Sequence, residues 1–229
     1  MATSGSASPI ERRVAVRATI SSDRAVRRHL TVHCESRCEA VDIATCSACA
    51  CCLFVRVSKE GRPEAVVCRP GPSVETNRAS ESGPHTPVRA VMERDIVCVM
   101  SDVGIDAIVR LLSETGVEGI AVVDDSGHPV GMVSWTDLRR AAEARAPATS
   151  AAHPPEPAAV AFHVGAALAD RCARDVMSPV VYSVVESTEL ARALALMSMT
   201  GFHQLPVVMG DGSVGGMLTL RALTRFSLQ

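Results

Sequence analysis

The chain has 229 residues, of which 47% are hydrophobic and 21% charged, so its composition is that of a globular protein with one or two domains. A net charge of −2, with one Trp, one Tyr and four Phe, makes nucleic acid an unlikely partner, because neither a basic field nor a stacking surface is available. The sequence shows no secretory signal and no apolar run long enough for a membrane span, so we expect a cytoplasmic protein.

Residues 1–29 are predicted to be a basic, flexible tail. They are mostly small and polar, and six arginines stand against two acidic residues. Such a composition is typical of a solvated segment that cannot bury enough apolar surface to fold. Contact with a nucleic acid or a membrane is the alternative interpretation.

Residues 30–70 are rich in cysteine, and the spacing of the cysteines predicts a metal site. The proposed ligands are Cys34, Cys46, Cys49 and Cys52, with Cys38 and Cys68 as alternates. Two thiolates separated by two residues can form a knuckle around a tetrahedral ion, and the flanking segments are predicted to be short strands. We therefore expect a small module resembling a zinc ribbon, in which Zn²⁺ compensates for a small core. An iron–sulfur cluster and thiols that bind nothing are the alternatives.

Residues 71–86 have the composition of a linker, and after them the sequence repeats. Residues 89–140 align with residues 174–225 at a constant offset of 85, with 15 identical pairs. A fixed period indicates a duplicated structural unit. The first unit is expected to cover residues 87–144. A second linker at 145–159 leads to a connecting helix and the second unit at 160–229.

Each unit is predicted to fold as β-α-β-β-α, which gives a mixed α+β or α/β chain. In the first unit, a strand at 96–99 precedes a helix that Asp102 is expected to cap and Gly116 to end. A hairpin with its turn at 124–127 and a second helix follow. The second unit repeats this pattern, with a strand at 180–184, Ser187 as the cap and Gly201 as the end of the helix.

Several segments together resemble a tandem pair of cystathionine-β-synthase (CBS) domains, often called a Bateman module. They are DVMSPVV at 175–181, QLPVV at 204–208, the GDG turn at 210–212 and GMVSWTDL at 131–138. The resemblance covers residues 87–228. It implies two units packed sheet to sheet around a pseudo-two-fold axis, with two clefts between them and a tendency to form homodimers.

The first unit carries the groups that a nucleoside cleft requires. Met132 offers an apolar wall, Ser134 and Thr136 offer hydroxyls, and Asp137 offers a carboxylate at the start of a helix. By the resemblance, the aspartate holds the ribose and the hydroxyls approach phosphate. Val180 and Val181 are expected to flank the base, with His203, Gln204 and Pro206 on the far wall. The alternative is that Asp137 only caps its helix.

The second cleft is predicted to be degraded. Ala222 stands where the first unit has Asp137, Arg221 replaces Thr136, and Glu118 would face a ligand phosphate. We therefore expect one competent site, for AMP, ADP, ATP or S-adenosylmethionine. Since Gln204 stands where a basic residue would favour a triphosphate, ATP is the least favoured of these.

The predicted function is regulatory and not enzymatic, since the scattered histidines form no known catalytic motif. Ligand binding would shift the arrangement of the two units, and an unidentified protein partner or the N-terminal module would respond to that shift. The competing hypothesis is a structural or dimerising CBS pair whose metal module binds a protein or a nucleic acid.

Overall fold

The computed structural model describes residues 9–34, 37, 39–69, 85–145, 157–179 and 182–227. Within them lie eleven strands and seven α-helices. The strands are β1 (Ile10–Ile20), β2 (Val26–Cys34), β3 (Glu39–Asp42), β4 (Cys52–Val57), β5 (Pro63–Cys68), β6 (Ile96–Met100), β7 (Gly119–Val123), β8 (Pro129–Ser134), β9 (Val184–Val185), β10 (Gln204–Val208) and β11 (Val214–Thr219). The helices are α1 (Ile43–Ser47), α2 (Ile105–Thr115), α3 (Trp135–Glu143), α4 (Pro157–Ala167), α5 (Ala173–Val176), α6 (Leu190–Thr200) and α7 (Leu220–Ser227).

The N-terminal third is part of a large sheet, which corrects two sequence expectations. Strand β1 pairs with β2, with β5 and, in parallel, with β6 of the first repeat. The resulting eight-stranded sheet runs in the order β3-β2-β1-β6-β7-β8, with β5 and β4 branching from β1. Most of residues 10–29 therefore lie in β1 and β2 rather than in a flexible tail, and the cysteine-rich segment is continuous with the first repeat through β1 rather than a separate ribbon.

The arginines of β1 lie in a strand that also contributes buried residues. Val14 and Ala15 are 4% and 8% exposed, whereas the Arg13 side chain is 83% exposed. Arg13 pairs with Asp95, just before β6, at 2.6 Å, and Arg17 is half-buried. The arginines of this segment therefore belong to a paired strand and not to a disordered tail.

Both repeats contain the predicted elements, with differences at the helix starts and in the first strand of the second repeat. Of the strand predicted at 180–184, only Val184 lies in β9, and residues 180 and 181 lie outside the described residues. Gly116 and Gly201 end α2 and α6 in the left-handed conformation, with φ of 64° and 71°. Glycine adopts this conformation without the steric cost of a Cβ atom. The helices begin later than expected. Gly104 immediately precedes α2 and Glu189 immediately precedes α6, and neither residue accepts a capping hydrogen bond with its side chain. Asp102 and Ser187 are thus not the capping residues.

The two repeats exchange the segments that precede them. Glu93, which leads into the first repeat, forms two backbone hydrogen bonds of 2.8 Å with Met217 of the second. Ser178, which leads into the second repeat, forms the equivalent bonds with Met132 at 2.9 and 3.1 Å. Side chains follow the same exchange, because Val88 lies in the core of the second repeat and Val176 in that of the first. Each repeat therefore depends on the other for part of its core.

The sheets of the two repeats meet through a small apolar cluster. Cys98 on β6 and Met217 on β11 belong to it, and Cys98 is fully buried. The hairpin turns also touch, since the Val214 amide donates to the Gly127 carbonyl at 2.9 Å. Two clefts are left beside this cluster, one on each side of the pseudo-two-fold axis.

Candidate functional site

One cleft contains the residues that the sequence nominates for a ligand. It is a cavity of about 360 Å³ between the β8–α3 junction of the first repeat and the start of β10 in the second. Seven of the nine predicted residues line it: Met132, Ser134, Thr136, Asp137, His203, Gln204 and Pro206. Val180 and Val181 lie outside the described residues. A cavity of this volume is in the range of small-molecule sites.

The Asp137 carboxylate lies at the base of the cleft and also secures the start of α3. Its side chain is only 9% exposed. Oδ2 accepts from the Ser134 backbone N–H at 2.9 Å and from the Ser134 hydroxyl at 2.6 Å. The Ser134 hydroxyl oxygen in turn accepts from the Asp137 N–H at 3.3 Å, which completes a capping box. Asp137 is therefore a capping residue as well as a candidate ribose acceptor.

The other carboxylate oxygen has two further partners, which the sequence alone did not identify. Oδ1 accepts from Arg140 Nη2 at 2.8 Å and from the Ser178 hydroxyl at 2.8 Å. Arg140 lies one helical turn after Asp137, a spacing at which side chains on a helix meet. Ser178 comes from the exchanged segment, which sequence distance conceals. Both residues line the cleft and belong to the candidate site.

An aromatic pair stands at the side of the cleft that belongs to the second repeat. The rings of Tyr182 and Phe202 have centroids 5.5 Å apart at an angle of 50°. Both are substantially exposed, at 44% and 40%. At the offset of 85 these positions correspond to Val97 and Val117 of the first repeat. The aromatic pair is therefore specific to this cleft, and comparison of the two repeats could have found it.

The wall opposite Asp137 contains side chains that line both clefts. Gln204 lines both cavities, and its side chain lies where a Cβ atom on Gly119 would otherwise be. Glu118 also lines both, although the sequence assigned it to the second cleft alone. His203 is exposed at the rim of the first cleft. A ligand in either cleft would thus meet side chains that the other cleft shares.

The second cleft is smaller and more acidic. Its cavity is about 260 Å³, and Glu93 and Asp95 line it together with Glu118. The cap of α7 needs no carboxylate, because the Thr219 hydroxyl accepts from the Ala222 N–H at 3.0 Å. Arg221 lines the cleft and reaches the Gly116 carbonyl at 3.4 Å. Valines stand in place of the aromatic pair, so the two clefts differ in charge as well as in shape.

The predicted zinc ligands do not form a metal site in the described residues. No group of three or more potential ligands converges there on one point, and Cys38 lies outside the described residues. Cys46 and Cys68 instead lie in an apolar cluster beneath β1, β2 and β5, against which Cys34 and Cys52 also pack. Burial raises the pKa of Cys46 to about 11, which opposes the thiolate that a metal requires. These thiols contribute to packing as small apolar groups.

Exposed Cys49 behaves differently. The backbone N–H of Cys51 lies 3.5 Å from its sulfur, and this hydrogen bond lowers the pKa of the Cys49 thiol. Cys49 is therefore the most reactive thiol expected among the described cysteines of this segment.

Comparisons with known proteins identify the duplicated region. The CBS domain family model matches residues 88–144 and 173–229. An uncharacterized 17.7 kDa protein of Acidianus ambivalens is 24% identical over 147 residues, which are 61% of this chain and 72% of the relative. The structure of the CBS-pair protein CBSX2 from Arabidopsis thaliana matches with 29% identity and a TM-score of 0.51, over 62% of this chain and 94% of that one.

A structure of CBSX2 in complex with AMP matches at 29% identity, with a TM-score of 0.49 over 62% of this chain and 97% of that one. No helix of the described residues is long and apolar enough to cross a membrane. The matched ranges coincide with the two repeats that exchange segments around the clefts. Residues 88–144 and 173–229 of this chain are therefore a tandem pair of CBS domains.

Proposed function

We propose that the CBS pair is a regulatory module that binds an adenosine-containing ligand in the cleft containing Asp137. The observation that carries the proposal is the difference between the two clefts. The larger one combines a buried carboxylate with an exposed aromatic pair, and the smaller one has alanine and valines at the same positions. Ribose hydroxyls require an acceptor and an adenine ring stacks well on aromatic faces. Candidate ligands are AMP, ADP, ATP and S-adenosylmethionine.

The exchange of segments gives a route from binding to signalling. A ligand between Asp137 and the wall of β10 touches both repeats at once, and so favours one relative arrangement of them. Arg17 of β1 responds to that arrangement, because its guanidinium donates to the Val214 carbonyl at 2.7 Å while packing near Gly127 of the other repeat. The N-terminal strands are thus in contact with both hairpin turns. The proposed role is binding and not catalysis.

We also propose that the pair forms a homodimer. Leu194 and Met199 on α6 are 39% and 86% exposed. Contact with a second copy would remove the Met199 side chain from water, which is favourable. Light scattering of the wild type and of Met199→Glu tests this, since a dimer through α6 becomes a monomer in the variant.

A second candidate function is a structural CBS pair without a ligand. It is favoured by the four hydrogen bonds that the Asp137 carboxylate already makes within the chain. On this hypothesis Asp137 stabilises α3 and its junction with the exchanged segment, and nothing binds in the cleft.

Thermal unfolding with AMP, ADP, ATP and S-adenosylmethionine separates the two candidates. A ligand that binds only the folded state stabilises it by about 2.7 kcal/mol at 100 times its Kd, which gives a clear rise in Tm. Asp137→Ala should abolish the rise. Because this substitution also removes a cap, Asp175→Ala is the matched control: Asp175 accepts from the Cys172 N–H at 2.9 Å in the corresponding cap of α5, outside the cleft. It should lower Tm but keep the rise. No rise with any of the four ligands would favour the structural pair.

A further inference from the structure

The Asp137 carboxylate is fully occupied in the cleft as it stands. Each oxygen accepts two hydrogen bonds, from Ser134 at Oδ2 and from Arg140 and Ser178 at Oδ1. A carboxylate has about four lone-pair sites, so it cannot accept two ribose hydroxyls in addition. A nucleoside that uses Asp137 must therefore displace a partner that the chain itself supplies.

Of these partners, Arg140 is the long and exposed side chain that can move away and carry its charge to a ligand. The bonds to Ser134 are part of the capping box and would be lost only with the start of α3. The Arg140 side chain is 67% exposed, and its Nη2 donates to Asp137 Oδ1 at 2.8 Å. Exposed side chains of ion pairs are only weakly held, so this contact can be exchanged for one with a ligand. A displaced guanidinium stays at the rim of the cleft, beside the position that the ligand enters.

The charge that the ligand brings then decides whether the displacement is compensated. A 5′-phosphate supplies acceptors that a guanidinium can bind in a bidentate manner, which is among the strongest hydrogen-bonding arrangements in proteins. Adenosine, which has no phosphate, would break the ion pair between Arg140 and Asp137 without offering the guanidinium a new acceptor. A sulfonium at the 5′ carbon, as in S-adenosylmethionine, places a positive charge where the phosphate would be.

Resting on the proposed function, we propose that Arg140 is the specificity-determining residue of the cleft. It neutralises Asp137 in the empty site and transfers to the phosphate when a 5′-phosphorylated adenosine binds. The cleft therefore selects AMP-like ligands against adenosine and S-adenosylmethionine. Arg140 thus replaces the basic residue that is missing at Gln204.

The second repeat supplies a matched control. Arg225 occupies the position equivalent to Arg140, and its guanidinium lies 3.9 Å from the Glu93 carboxylate beside the smaller cleft. Glu93 stands where the first cleft has Ser178. Glu93 lines the smaller cleft. Arg225→Gln therefore removes the same charge from the protein as Arg140→Gln, without changing the surroundings of Asp137.

The test is isothermal titration of the full chain with AMP, adenosine and S-adenosylmethionine, using the wild type, Arg140→Gln and Arg225→Gln. The wild type should bind AMP at least about tenfold more tightly than adenosine, as expected for a charge-assisted bidentate pair. Arg140→Gln should reduce this ratio to about threefold or less, because AMP loses the partner of its phosphate and adenosine no longer has to displace the guanidinium. Arg225→Gln should keep the wild-type ratio.

The outcomes separate this inference from the function on which it rests. Equal affinity of the wild type for AMP and adenosine, or a ratio that survives in Arg140→Gln, would overturn the role of Arg140 and leave the nucleoside site standing. Tighter binding of S-adenosylmethionine than of AMP would overturn it as well. Failure of all three ligands to bind the wild type would overturn the proposed function together with the inference. Circular dichroism melting of both variants verifies that they are folded.

Discussion

The exchanged segments make a prediction that distinguishes two glycines at equivalent positions. A Cβ atom on Gly131 would overlap the Met177 sulfur and lie 2.9 Å from its Cγ, whereas one on Gly216 would lie 2.8 Å from the Met92 sulfur and 2.9 Å from the Glu93 carbonyl oxygen. Overpacking of this kind costs about 1–3 kcal/mol. For a chain of this size, Gly131→Ala and Gly216→Ala should each lower Tm by about 2–12 °C.

Truncating the methionine should rescue only one of them. Met177→Ala removes both of the closest atoms facing position 131, so the double variant should recover about 1–2 kcal/mol relative to additivity. At position 216, Met92→Ala leaves the Glu93 carbonyl in place, held by its hydrogen bond from the Met217 N–H at 2.8 Å. Coupling there should be below about 0.5 kcal/mol.

Urea unfolding of the wild type, the four single variants and the two double variants measures these couplings as changes in the free energy of unfolding. The slope of each transition shows whether the variants remain two-state, which the comparison requires. The reasoning would be refuted by equal coupling energies for the two pairs, or by no coupling between Gly131 and Met177. It requires that Gly131 meets a flexible side chain and that Gly216 meets a fixed backbone carbonyl.

Three further predictions concern the N-terminal strands and the buried thiols. Cys46→Ala should cost about 1 kcal/mol and Cys46→Ser about 1–3 kcal/mol more, because serine buries a hydroxyl in an apolar cluster; equal loss in chemical denaturation would instead indicate a ligand role. Arg17→Met should destabilise the chain by about 1.5–3 kcal/mol through its bond to Val214, measured in the same assay; no change would remove Arg17 from the proposed signalling route. Burial raises the pKa of Cys98 from 9.0 to about 12, so its thiol stays protonated in the folded chain while the unfolded thiol ionises. The free energy of unfolding should therefore fall as pH rises from about 9 towards 12, less steeply in Cys98→Ala, and an unchanged slope would exclude this origin.

Much of the CBS pair could be predicted because its signals are local or repeated. Gly116 and Gly201 mark the ends of equivalent helices, and the motif around Asp137 places its residues at a strand–helix junction by chain distance alone. The far wall follows from the resemblance to a CBS pair, and His203 and Gln204 line the cleft that contains Asp137.

The remaining features depend on contacts that sequence distance does not encode. Ser178 reaches Asp137 only because the entering segments are exchanged. Arg140 is an exception, because its spacing of one helical turn from Asp137 is visible in the sequence. The predicted zinc site is not supported by the described residues, for a related reason. Cysteine spacing indicates which thiols can meet, whereas the structure packs Cys46 in an apolar cluster, where burial raises the pKa of its thiol.

The parallel pairing of β1 with β6 has a consequence for any study of the CBS pair alone. Residues 17–20 cover the outer edge of β6, while β9, its counterpart in the second repeat, pairs only with β10 among the described strands. A polypeptide shortened to begin near residue 87 would leave the backbone of β6 open to whichever strand it meets first. Self-association of such a fragment would then result from the exposed edge of β6 and not from the native assembly. Its oligomeric state and ligand affinities would therefore differ from those of the full chain.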